Sequence, residues 1–210
     1  MIDLDLMLST IVTLLVTVDP VGLAPIFLSL THGMSGGERR GVALRATLIA
    51  TGILIFFAIA GRQLLDWLEI GLPAFRIGGG LLLFWIAFEM VFERRTERKQ
   101  ETADAAIDEH ARSIAAFPLA IPLMAGPGAI TALILLSSRT DGNALALLAL
   151  LLLLCFVMAL CFLAFLVAGR IVGLLGRTGS LVMTRLLGIL LTALAVQFVI
   201  DGIRPLMEGH

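Results

Sequence analysis

Six stretches of twenty or more mostly apolar residues, roughly 6–30, 43–65, 70–92, 113–138, 143–169 and 179–203, take up most of this 210-residue chain. A helix needs about 20 such residues to cross a bilayer. The expectation is therefore an all-α membrane protein of six transmembrane helices. Composition agrees, with 59% hydrophobic and 15% charged residues, against about 45–50% and 25% in soluble chains. Lipid is the solvent that accommodates such an excess. Turn chemistry separates the spans at Gly33–Gly37 and at Thr140–Asn143.

The net charge of −1 gives no pull toward nucleic acid, and the basic residues inform through position. Eleven of the fifteen fall in the alternate segments 31–45, 93–112 and 170–185; Arg62, Arg76, Arg139 and Arg204 lie opposite. Lys and Arg mark the cytoplasmic side of short loops. Both termini are thus expected on the periplasmic or extracellular side of a bacterial cytoplasmic membrane. Met1–Asp5 is acidic where a cleavable signal carries basic residues, so the first apolar run is expected to stay. Cys155 and Cys161 are six apart within one apolar run, on largely opposed helical faces, and read as packing residues rather than a disulfide or metal pair.

The segment 93–112, with mixed charges at helical spacing as in Glu93/Glu97 and Arg94/Arg98, reads as a solvated cytoplasmic linker. It divides the chain into a first three-helix unit, 1–92, and a second, 113–210. Asp19-Pro20-Val21-Gly22 in the first resembles Gly126-Pro127-Gly128 in the second, the prolines lying 107 positions apart. Ala60-Gly61-Arg62 matches Ala168-Gly169-Arg170 at 108, and Arg76-Ile77-Gly78-Gly79 matches Arg185-Leu186-Leu187-Gly188 at 109. An odd number of spans per unit inserts the copies in opposite senses. The expected architecture is a 3+3 inverted repeat, common among secondary transporters.

Two spans carry a helix break near their centres. Asp19-Pro20 joins a good N-cap residue to a proline, which suits the first helical position because it lacks an N–H. Gly126-Pro127 has the same grammar, and Pro118 and Pro122 loosen the half before it. Helices 1 and 4 are expected to be discontinuous, with two half-helix N-termini meeting mid-membrane. Such ends present unpaired N–H groups and partial positive charge, which suits a carboxylate. Asp19 either caps its half-helix or meets a substrate amine or coupling cation. Pro25 reads as a kink, Gly78–Gly80 as a place of close helix approach, and Arg76 and Arg185 as interfacial or, more sharply, as members of gating ion pairs. Thr17 and Thr131 either bond their own backbone or line the site, and Gln197 serves as interhelical glue or cavity lining. His32, His110 and His210 lie in loops or the tail.

The blocks DPVGLAPIF, FRIGGGLLLFWIAFEM, PLAIPLMAGPGAIT and ALAVQFVIDGI resemble those of the MarC family over essentially the whole chain. The resemblance implies a bacterial or archaeal cytoplasmic-membrane protein allied to LysE-type exporters. Some members, the SnatA-like ones, transport small neutral amino acids such as alanine and glycine. By position it implies a central site of Asp19, Pro20, Gly22, Gly126, Pro127, Gly128 and Thr131, to which the reading of the breaks adds Val21 and Gln197. Members can carry Asn before the first proline, which a cap tolerates and an obligatory proton carrier would not.

The leading expectation is a secondary transporter and not an enzyme, with no cofactor beyond a coupling proton or sodium ion. Its partners are a small neutral amino acid and the lipid bilayer, and the small-residue faces would suit a homodimer. The alternatives are a non-transporting scaffold or channel subunit, and an intramembrane hydrolase built on Asp19 and Asp201.

Overall fold

The computed structural model describes residues 4–94, 98–101, 114–140 and 142–207. Most of the 93–112 linker, with Glu97, Arg95, Arg112 and His110, and also Asp141 and His210, lies outside the described residues. Among the described residues the chain is helical throughout: α1 (Leu4–Val18), α2 (Pro20–Leu30), α3 (Gly36–Trp67), α4 (Leu72–Val91), α5 (Ala115–Met124), α6 (Pro127–Ser138), α7 (Ala144–Leu166) and α8 (Ala168–Met207). Five candidate spans are long and apolar enough to cross a membrane, α1 with α2 counting as one. A sixth arises if α5 and α6, bent by 56°, form one crossing.

Local chemistry sets most boundaries. Ser35 opens α3 through a capping box, its hydroxyl accepting from the Glu38 N–H while the Glu38 carboxylate accepts from the Ser35 N–H. Asn143 opens α7, its side chain accepting from the N–H groups of Leu145 and Ala146. The reading placed 168–170 at the end of span five. Instead Val167 caps α7 and α8 starts at Ala168, interrupted at Gly176 (φ 61, ψ −176) before its membrane-length part, Thr178–Met207. Only glycine tolerates that backbone cheaply.

Burial follows stripes rather than whole helices. α3 buries Ala43, Ala46, Thr47, Ala50, Leu54, Ala58 and Gly61, a small-residue face that lets neighbours close in. α7 is apolar all round, yet Leu150, Leu154, Val157, Met158, Cys161 and Phe165 alone are buried, at the i, i+4, i+7 spacing of one helical face. The outward faces keep large apolar side chains, among them Leu48, Phe56, Trp85, Leu152 and Ile189, each more than half exposed. Water would not tolerate so broad an apolar girdle; lipid does.

The helices α4 and α8 make the most extensive helix contact. A Cβ on Gly80 would fall 2.9 Å from the Ala195 carbonyl oxygen, and one on Gly79 would fall 2.6 Å from Thr131 Cγ2. Two of the three consecutive glycines therefore seat α8 and α6 within the chain, while Gly78 faces open space.

Candidate functional site

Asp19 stands alone between α1 and α2, with left-handed backbone angles (φ 58, ψ 65). Its N–H donates to Leu15 O at 2.9 Å, closing α1 with the single bond of an αL cap, and its carbonyl accepts from Leu23 N–H at 3.0 Å, opening α2. Asp and Asn tolerate this conformation better than other non-glycine residues. Pro20 follows at the first helical position, as the Asp-Pro grammar predicts. The carboxylate Oδ1 accepts from the Gly22 N–H at 3.0 Å. A Cβ on Gly22 would fall 2.2 Å from Oδ2, so this cap closes only over glycine.

The second break differs in detail. Pro118 and Pro122 do more than loosen a helix: Phe117 (φ −134, ψ 127) and Ile121 (φ −125, ψ 126) are extended, and both following peptide bonds are cis. Gly126 (φ −82, ψ 172) then caps α6, with Pro127 first in the helix and no side chain capping the N–H groups behind it. A Cβ on Gly126 would fall 2.4 Å from the Pro122 carbonyl oxygen, a backbone atom that cannot step aside.

The two breaks are joined by a residue that the sequence reading assigned to the solvated linker. Lys99, the only lysine in the chain, is 8% exposed and places Nζ 3.4 Å from Asp19 Oδ2. It also lines a cavity of about 280 Å³ with Thr17, Ile86, Arg98, Pro122, Leu123 and the start of α6, Gly126 to Ala129. Beside it Arg98 meets the buried Glu89 at 2.9 Å, and Glu89 Oε1 accepts from the Trp85 indole N–H at 3.1 Å. The site thus combines two half-helix N-termini with two carboxylates and two cations, and its lysine is withdrawn from water.

Other expected residues lie as follows. Thr17 lines the cavity, but its hydroxyl donates to Thr13 O at 2.8 Å, the bland alternative for that residue. Pro20 and Gly22 are buried and Val21 half-buried beside Asp19, outside the cavity lining. Thr131 is buried one turn beyond Gly128 with its methyl against Gly79. Gln197 does not reach the site: it is exposed and donates to Asp201 Oδ1 at 2.7 Å. Asp201 also accepts from Arg139 at 2.8 Å, and the Arg139 guanidinium lies 4.7 Å above the Phe198 ring. Asp19 and Asp201 therefore belong to separate ion-pair clusters, and no dyad forms between them. Arg185 pairs with Glu93.

Sequence reasoning missed Glu89, Arg98 and Lys99. Glu89 had a usable signal, since an acid inside an apolar span needs a partner. A larger cavity of about 490 Å³, lined by Arg39, Arg40 and Arg170 with Phe27 and Phe165, opens at one end of the bundle. It touches none of the expected site residues.

Over residues 4–207 the chain matches the family described as MarC family integral membrane protein. It is 38% identical to a UPF0056 membrane protein of Aquifex aeolicus, covering 97% of this chain and 94% of the relative. One from Archaeoglobus fulgidus is 37% identical, at 95% and 93% coverage. The UPF0056 membrane protein YhcE of Escherichia coli is 36% identical, at 91% and 89%. No solved structure matches the chain.

Proposed function

Because the chain belongs to the MarC family of multi-pass integral membrane proteins, we propose that it is a secondary transporter of small neutral amino acids, of the alanine and glycine kind. The single observation that carries this is Lys99, which lines a cavity at the second helix break and reaches Asp19 at the first. Interrupted backbone survives in a membrane only where it is buried in protein or lines a cavity, and paired interruptions in corresponding parts of two halves are the usual mark of a transport site. A plain scaffold or channel subunit has no need of them.

The chemistry follows from the two ends. The N–H groups of Gly128 and Ala129 belong to an α6 terminus without a side-chain cap. They suit a substrate carboxylate, helped by the positive end of the helix dipole. Asp19 Oδ2 suits the ammonium, while Oδ1 keeps the cap on α2. A cavity of about 280 Å³ has room for an amino acid of the alanine or glycine kind. Thr17, Thr13 and Thr10 form a buried hydroxyl stripe along α1. Thr10 and Thr140 line a further space of about 10 Å³, roughly room for one water.

In this reading the halves 1–92 and 113–210 are inverted repeats that rock about the cavity, coupled to a proton or sodium ion. The protein lies in the cytoplasmic membrane with the Arg39, Arg40 and Arg170 face inside. Proteoliposomes loaded with labelled alanine or glycine test the proposal. Flux above that of empty vesicles is expected. None, with or without a proton or sodium gradient, would remove it.

A further inference from the structure

Lys99 has no place in a simple account of the site. A lysine that leaves water loses hydration, and here its ammonium comes to the Asp19 carboxylate. At 3.4 Å this contact is longer than the ~2.7–2.9 Å of a tight ammonium–carboxylate bond. Capping α2 needs only Oδ1, which Gly22 already holds. The second oxygen therefore faces a cation that the cap does not need, delivered from a segment far along the chain. Lys99 itself lines the cavity with Thr17, the start of α6 and Arg98, and Arg98 pairs with Glu89.

We infer that Lys99 is a tethered stand-in for the substrate ammonium: it holds the ammonium subsite at Asp19 Oδ2 and must withdraw before an amino acid can bind there. This rests on the transport reading above and adds how its site is regulated. A buried carboxylate oxygen that already faces the Lys99 ammonium has no room for a second one, so occupancy by Lys99 and by substrate is mutually exclusive. A tethered group competes at an effective concentration in the ~millimolar range. Apparent affinity for the free ligand falls by the fraction of sites that Lys99 leaves open. The site therefore fills only when free amino acid is abundant, and filling it releases the 98–101 segment.

The sole lysine gives a direct test. A lysine-specific endoproteinase has one place to cut, between Lys99 and Gln100, yielding fragments 1–99 and 100–210. With the full chain in detergent, slow cleavage is expected without ligand and about tenfold faster cleavage in saturating alanine. Propionate, which lacks the amine, leaves the rate unchanged. Asp19→Asn is cut fast with or without alanine. Lys99→Met binds alanine about tenfold more tightly, whereas a lysine that grips the substrate carboxylate would lose binding on that change. Should Lys99→Met fail to fold, the wild-type cleavage measurement decides alone. Alanine flux in proteoliposomes with cleavage unchanged or slowed overturns the tethered competitor and spares the transporter. Absence of flux for alanine and glycine removes both.

Discussion

Asp19 divides its work between two oxygens, and substitutions at and beside it separate the parts. Oδ1 caps α2 through Gly22, and Oδ2 faces the Lys99 ammonium. Asp19→Asn keeps an acceptor for the Gly22 N–H and the tolerance for left-handed backbone, but loses the charge. It is expected to unfold close to the wild type in thermal denaturation, while binding alanine at least tenfold more weakly by calorimetry. Asp19→Ala loses both oxygens and adds a cap deletion of ~1 kcal/mol, so it should melt measurably lower than Asp19→Asn. Equal melting of the two would mean that the cap contributes nothing. Gly22→Ala acts from the other side. Its methyl would lie 2.2 Å from Oδ2 and 2.7 Å from Cγ, so the carboxylate must swing away from the cap and Lys99 alike. Transport is expected to fall to the level of empty vesicles in a protein that still folds, because an alanine inside a helix is otherwise favourable.

At the scale of elements, what was legible in the sequence was local. Asp-Pro and Gly-Pro place their N-caps and first-turn prolines through neighbours in sequence, and α2 and α6 begin where that grammar puts them. Five of the six apolar stretches correspond to candidate spans for the same reason, since length and hydropathy are additive, and the sixth does if α5 and α6 make one crossing. Packing between distant segments was not legible. The mixed charges of 93–112 suit a solvated helix equally well, and nothing local marks Lys99 as entering the bundle 80 residues away from Asp19. Gln197 misled in the opposite sense: a polar residue in a span needs a partner, and Asp201, one turn on, satisfies it outside the cavity. The glycines of α4 were legible as close-approach residues, but their partners were not. They turn out to be α6 and α8 of the same chain, and a test follows. A Cβ on Gly80 meets the Ala195 carbonyl and the Val199 N–H at 2.9 and 3.0 Å, so Gly80→Val must push two backbones apart. Overpacking costs ~1–3 kcal/mol, and the upper part of that range is expected in detergent unfolding. Gly78→Val, which meets nothing within 4 Å, serves as the control and should cost far less.

For the whole molecule, the bundle gathers basic segments that are far apart in sequence. Phe27, near the end of α2, stacks on Phe165, near the end of α7, with ring centroids 4.6 Å apart, which sets those two ends at one level. Arg39 Nε donates to the carbonyl of Thr31 in the turn after α2, and Arg39 and Arg40 share a cavity with Arg170 at the start of α8. Arg185 reaches Glu93, just past α4. The segments counted as basic in the sequence therefore meet through specific contacts, while Arg139 binds Asp201 and rests on Phe198 elsewhere in the bundle. Arginine bias of this kind orients a membrane protein with its richer face in the cytoplasm. An odd number of crossings would place the two ends of the chain on opposite faces; six crossings place them together. Alkaline phosphatase, which matures only outside the cytoplasm, is therefore expected to be active when fused after Met207, and a green fluorescent protein fused there should stay dark. The same phosphatase inserted after Glu101 should be inactive. A bright, phosphatase-inactive C-terminus would mean that α5 and α6 enter and leave by the same face instead of completing a sixth crossing. The cavity would then lie beneath a re-entrant hairpin, open to one side only, and rocking between two equivalent halves could not operate.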